Sequence, residues 1–338
     1  MKKVRGVYQS ALALLLAGTC GLHVATAQQI SSDTFGSGGN QFTMDFVTVG
    51  DPGNPDDSGT TGSYFSPHGG VDYVYRIGQF EVSRDMITKA NTEGGLGLTL
   101  ADMTGLGGNG PNQPATGLSW NEAARFVNWL NTSQGYQAAY KFALQPGDAS
   151  YDPTANILLW DPTDTGYDPN NLYRNTDAFY FLPSLDEWYK AAYYSGSGST
   201  YFDYATQQDA PDIPTPVVNG TGADEVVYGE DVLLGPAEIT DAGGLSHYGT
   251  MAQNGNVKDL LETSSDGEND EVDANRLIPG GDWGDPESTL RSSTVNISTP
   301  PTSELGIVGF RVASVIPEPG SASLLLGALG LLALRRRR

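Results

Sequence analysis

The chain has 338 residues, with 43 Gly, 20 Pro, 40 Asp and Glu against 18 Lys and Arg, and a single cysteine. Abundant glycine and proline with few charged residues point to a loop-rich globular protein and away from a helical bundle. A formal net charge of −22 repels nucleic acid and anionic lipid, so neither is an expected partner.

The N-terminus reads as a leader. Lys2, Lys3 and Arg5 precede the apolar run ALALLLAG, and Ala25-Thr26-Ala27 offers a small-x-small cleavage site, so residues 1–27 are expected to be a secretory signal. Cys20 lies inside it, and Ala17 and Thr19 stand where a lipoprotein leader needs a leucine-type residue and a small one. The body beyond therefore has no disulfide, no thiolate nucleophile and no thiolate metal site. Its histidines are His68 and His247. A three-histidine centre cannot be built from two, although a mixed site with carboxylates stays open. No G-x-S-x-G elbow supports a Ser-His-Asp triad.

Along the body, FTMDFVTVG (42–50) reads as a strand and DPGNPDDSGTTG (51–62) as a turn-dense loop. VDYVYRIGQFEVS (71–83) has partial strand alternation, and Ser83 is placed to cap a short helix from Arg84. SWNEAARFVNWLN opens with Ser119 and has Glu122 three residues on, a capping box, with Ala123, Phe126, Val127 and Leu130 on one face. PSLDEWYKAAYY repeats the device with Ser184 and Glu187, and Leu185, Trp188, Tyr189 and Ala192 share a face. Trp120, Trp129 and Trp188 at this spacing are expected in the core. The acidic SSDGENDEVDANR (264–276) lacks EF-hand order and reads as a solvated loop. The rest is loops and short strands, giving one α+β domain of low regular content over residues 28–315.

The C-terminus reads VIPEPGSASLLLGALGLLALRRRR. Its apolar run, Ser321–Leu334, would span about 21 Å as a helix, short against a hydrocarbon core about 30 Å thick. Arg335–Arg338 favour a cytoplasmic end. Three cations lie in the leader, four in the tail, and only Glu318 among the acids lies in either, so the body between carries a charge near −28. Pro317-Glu318-Pro319, the apolar run and the arginines together resemble the PEP-CTERM sorting signal. That resemblance assigns residues 316–338 to a sorting tail. It implies export to the cell envelope or beyond, transient membrane retention and processing by an exosortase-type enzyme.

Read in order, several stretches of the body resemble the formylglycine-generating enzyme family, the sulfatase-modifying factors. GQFEVS resembles an early strand ending in Glu-Val-Thr, and LSWNEAARFVNWLN a tryptophan-containing first helix. YFLPSLDEWYKAAYY resembles Arg-Leu-Pro-Thr-Glu-Ala-Glu-Trp-Glu through Leu182, Pro183, Glu187, Trp188 and Ala191. GTMAQNGNVKDL carries Gly255, Asn256 and Val257 of Gly-Asn-Val-Trp-Glu-Trp, and PGGDW and GFRVAS resemble the closing elements. The resemblance implies the formylglycine-generating-enzyme fold, related to C-type lectins.

Departures from the family bear on function. Active oxidases of the family hold copper on a cysteine pair between the Gly-Gly element and Gly-Phe-Arg, whereas DWGDPESTLRSSTVNISTPP (282–301) has no cysteine, and hydroxyls and carboxylates are poor ligands for copper(I). The family's calcium sites imply Gly255, Val257 and Asp259 as weak calcium ligands here, with Ala252 where an oxygen-bearing side chain belongs and Lys258 and Leu260 in place of tryptophans. Trp283 and Arg291 are expected to frame a groove, and Arg311 to be a buried structural partner. The reading is an exported, non-catalytic binding or structural module whose ligand is a carbohydrate or a protein. Its alternative is an oxidoreductase-like enzyme with altered, metal-dependent chemistry.

Overall fold

The computed structural model describes residues 29–58 and 67–316; the expected leader, and the PEP motif with its tail from residue 317, lie outside them. In chain order the regular elements begin with β1 (Ile30–Phe35), β2 (Phe42–Val49) and β3 (Tyr75–Gly78). Helices α1 (Arg84–Gly94) and α2 (Trp120–Ser133) follow, then β4 (Tyr180–Phe181) and α3 (Leu185–Tyr193). Short strands complete the chain: β5 (Thr215–Pro216), β6 (Glu225–Val226), β7 (Lys258–Asp259), β8 (Arg276–Leu277), β9 (Ser298–Thr299), β10 (Val308–Gly309) and β11 (Ala313–Val315). This is an α+β architecture with little regular structure, as expected.

One five-stranded sheet, ordered β1-β2-β3-β11-β4, organises the rest. β2 forms where the sequence suggests it. Phe42, Met44 and Phe46 point inward while Thr43 faces out, the period of two that a one-sided sheet requires. β1 was not legible, because ISSDTF offers no apolar alternation. It pairs in register from Ile30 opposite Val47 to Phe35 opposite Phe42, and Asp33 meets the buried Arg76 at 2.6 Å. The strand expected over 71–83 is confined to Tyr75–Gly78. Beyond it the chain leaves the sheet, and Val82 N–H bonds Phe310 O at 2.9 Å.

The helices follow their caps. Ser83 Oγ accepts from Met86 N, and Gly95 ends α1 with φ 61°, the left-handed conformation that favours glycine. Both expected capping boxes are complete, Ser119 with Glu122 and Ser184 with Glu187. Trp120, Phe126, Val127 and Leu130 are fully buried, and Phe126 meets Phe310 edge-on at 5.7 Å. Trp129 is only partly buried, stacked on Phe42 at 5.9 Å.

Elsewhere two-residue pairings pin long loops: β7 runs parallel to β10, and β8 antiparallel to β9. The acidic stretch 264–276 is not simply solvated. Asn269 accepts from Ser264 N–H at 2.8 Å, and Arg276 is buried between the rings of Trp120 (4.5 Å) and Tyr173 (4.1 Å). Two aromatic faces attract the guanidinium and draw that end of the loop into the core. Replacing Ser119 with Ala is expected to cost about 1–2 kcal/mol, because its hydroxyl and Glu122 satisfy each other at a fully buried helix start. Urea denaturation, with circular dichroism confirming an unchanged fold, checks this.

Candidate functional site

The closing segments of the sequence converge on a buried carboxylate. β7 places Asp259, and the residues after β10 place Arg311. Arg311 Nε reaches Asp259 Oδ2 at 2.7 Å, and its other nitrogens reach Gly78 O at 3.2 Å and Met251 O at 3.0 Å. Trp188 Nε1 donates to the same Oδ2 at 2.8 Å. The Arg311 and Asp259 side chains are 0% and 1% exposed.

This arrangement sets the surroundings of the three calcium candidates. Gly255, Val257 and Asp259 do lie together on one short segment. Asp259 Oδ2 accepts from a guanidinium and an indole, while its buried Oδ1 has no hydrogen-bond partner among the described residues. A divalent cation at Oδ2 would stand against Arg311. Gly255 has a backbone role: its φ is 71°, and a Cβ on it would come within 2.2 Å of Val227 O.

Glu81, at the end of the GQFE stretch, is buried beside this pair. Its Oε2 accepts from Asn256 Nδ2 at 2.6 Å and its Oε1 from Val257 N–H at 3.3 Å. Burial, then the charge of Asp259, push its carboxyl up to about 8, against the pull of Arg311 and Asn256.

The loop 282–301 also closes the fold. Trp283, expected in a groove, is 2% exposed, and its indole N–H bonds Val232 O at 3.0 Å. A turn at Val232–Leu234 therefore meets the ring that an open groove would display. Lys258, standing where the family has a tryptophan, places its ammonium between Asp282 and Asp285. Arg291 stays at the surface, paired with Glu287 at 2.8 Å. The structure does not bring Trp283 and Arg291 together as walls of one groove.

A cavity of about 440 Å³ opens elsewhere, lined by Tyr73, Asp168, Asn171, Arg174, Phe181 and Ser184 among others. Arg174 lies in its wall, with the guanidinium 3.8 Å from the Phe181 ring. It pairs with Glu187 at 3.0 Å and Glu262 at 2.8 Å, both carboxylates being fully buried. Burial would raise Glu187, but Arg174 outweighs it and holds the carboxyl below its usual range. Tyr73 donates to Glu187 at 2.7 Å, Tyr140 to Glu262 at 2.8 Å, and Asn171 to Glu262 at 2.6 Å. One cation faces two anions, so the cavity floor offers no free positive charge. Tyr73, half exposed, presents a ring at the mouth. In the sequence Glu187 stands out as a cap and as part of the family motif, whereas Arg174 and Glu262 do not stand out. The available signal was a pair of acids set among apolar neighbours, in FLPSLDEW and DLLET.

The family profile of the sulfatase-modifying factor enzyme 1-like domain, FGE-sulfatase, matches residues 74–316. The chain belongs to this family. FGE-sulfatase-like folds also appear among solved structures. Treponema denticola variable protein 1 has TM-score 0.58 and 18% identity, covering 84% of this chain and 99% of its own. CarF has TM-score 0.53 and 19% identity, over 81% and 99%. PvdO from Pseudomonas aeruginosa has TM-score 0.52 and 16% identity, over 84% and 98%. No curated protein matched the sequence.

Two outcomes test the buried centre of this FGE-sulfatase domain. Arg311→Met leaves Asp259 buried without its cation, and is expected to cost about 3–5 kcal/mol, read by chemical denaturation. Glu81 gives a pH signature. Its folded carboxyl keeps a proton that the unfolded chain releases near 4.5, so the stability this group contributes is fully present below about 4.5 and is lost as pH rises through about 8. Lys190, which burial lowers to about 8, acts with the opposite sign above that pH, so the window to measure is pH 5–8. Glu81→Gln is expected to flatten the fall in melting temperature across that window.

Proposed function

We propose that this protein is an exported, non-catalytic binding module of the cell envelope, built on the FGE-sulfatase fold. On this reading residues 1–27 direct export. Pro317-Glu318-Pro319 and the tail give transient membrane retention and processing by an exosortase-type enzyme.

The observation that carries the non-catalytic reading is the segment 282–301. It has no thiol, and its Trp283 and Asp282 are engaged in closing the fold. Soft copper(I) finds no matching ligand there, so the family's cysteine oxidation is not assigned to this chain. Among the described residues no group of three or more His, Cys, Asp or Glu is placed to hold a metal ion.

The ligand belongs in the Arg174 cavity. An exposed aromatic ring at the mouth, amide and hydroxyl side chains in the wall and a floor with no free cation suit a neutral, hydroxyl-rich ligand, that is, a carbohydrate. Such sites combine an apolar face with a few fixed polar groups.

The test uses the purified protein, produced with copper, iron and calcium supplied. Metal analysis is expected to find no stoichiometric copper or iron, and a cysteine-containing peptide should cause no oxygen uptake. On a glycan array the protein should bind neutral glycans, and Tyr73→Ala should weaken that binding at least tenfold. Stoichiometric copper or iron with oxygen uptake would overturn the non-catalytic reading, and an array with no binder would overturn the carbohydrate assignment.

A further inference from the structure

A second cavity, of about 260 Å³, shares no residue with the first. One face of α2 forms its wall through Arg125, Asn128, Trp129 and Thr132, which recur at helical spacing. Leu96, Ala138, Phe142 and Pro146 add apolar surface. Gly94 closes one side, where a Cβ would come within 2.5 Å of the Trp129 ring.

Arg125 sets the chemistry. It is 4% exposed and lies 3.8 Å from the Phe142 ring centre and 4.8 Å from that of Tyr151. Its nitrogens donate to Pro153 O at 2.9 Å, Leu144 O at 3.0 Å and Asp152 O at 3.0 Å. A guanidinium has five N–H donors, so these three bonds do not exhaust it. Arg76, Arg174 and Arg311 each meet a carboxylate. Among the described residues Arg125 forms no such ion pair.

The acids nearest in sequence are engaged elsewhere. Asp152 accepts from Thr154 N and Oγ1 at 2.9 and 2.8 Å, and Glu122 caps its helix through Ser119. A buried cation without a carboxylate is costly, and a ligand carboxylate would complete it in the bidentate geometry that arginine favours.

Two other polar groups of the wall are already committed. The Asn128 amide bonds both the Tyr140 carbonyl at 2.7 Å and its N–H at 2.9 Å, and Thr132 Oγ1 bonds Asn128 O at 3.0 Å. Gln145, also in the lining, donates to Phe142 O at 3.4 Å. The cavity therefore sets a buried guanidinium that lacks a carboxylate against largely apolar walls. Its size suits an aromatic ring with a short acidic arm, since a cavity of about 150 Å³ can hold benzene.

We propose that this cavity binds a small carboxylic acid with a flat or branched apolar body, the carboxylate on Arg125 and the body between Trp129 and Phe142. The test is calorimetric titration of the full protein with benzoate, phenylacetate and 3-methylbutanoate, each beside its neutral amide. At least one acid should bind ten times more tightly than its amide. Ala138→Trp, which fills the cavity from its half-buried rim, should abolish binding at an unchanged melting temperature. Thr132→Trp, at an exposed position, serves the same purpose if the first variant does not fold. Arg125→Lys should bring the acid down to the level of its amide, because an ammonium lacks the fork. The proposal is overturned if no acid of the panel binds better than its amide, or if binding survives filling of the cavity.

Discussion

A single ion pair, Asp259 with Arg311, fixes how the ends of this domain meet. Taking both charges out of water is costly, and the geometry answers with charge-assisted bonds from Arg311 and Trp188 to one carboxylate oxygen, while the other guanidinium nitrogens go to carbonyls. Those carbonyls belong to Gly78, at the end of β3, and Met251, in a loop. One side chain thus ties the sheet, a loop and β7 together. Removing either partner leaves the other charge stranded in the core, so the pair defines one arrangement even where its net contribution to stability is small.

Loops of this length need further restraint, and the chain supplies it from its own acids. Asp102, Asp152 and Asp161 each accept from the hydroxyl and N–H of a threonine two residues on. The Thr104 hydroxyl, with Asn109, holds Asp102 down to about 2. Much of the acidity that reads as a solvated surface is local turn chemistry. Because these carboxylates are exposed, their contribution is conformational order more than free energy.

The parts of the fold legible in the sequence are those governed by local rules. The starts of α1, α2 and α3 follow from Ser83, Ser119 and Ser184, and β2 from its alternation. β1 was hidden because an edge strand with a serine-rich face is held by Arg76, from another strand. The settings of Trp283 and Asp259 were hidden for a related reason: the motif gives their place, but their partners, Val232 and Arg311, lie far along the chain. Both cavities were invisible for the same cause. Arg174 and Arg125 belong to no motif, and their meaning depends on which carboxylates the fold brings near them.

The position of β11 has a consequence for how such a chain comes to be folded. Residues 313–315, close to the end of the described chain, form an inner strand between β3 and β4, and β4 touches the sheet through them. A polypeptide emerging from its N-terminus keeps a gap in this sheet until those residues arrive. Arg311, two residues earlier, arrives at almost the same moment. Completion of the sheet and burial of the ion pair are thus both deferred to the final stretch, and the domain closes only once nearly all of it is present.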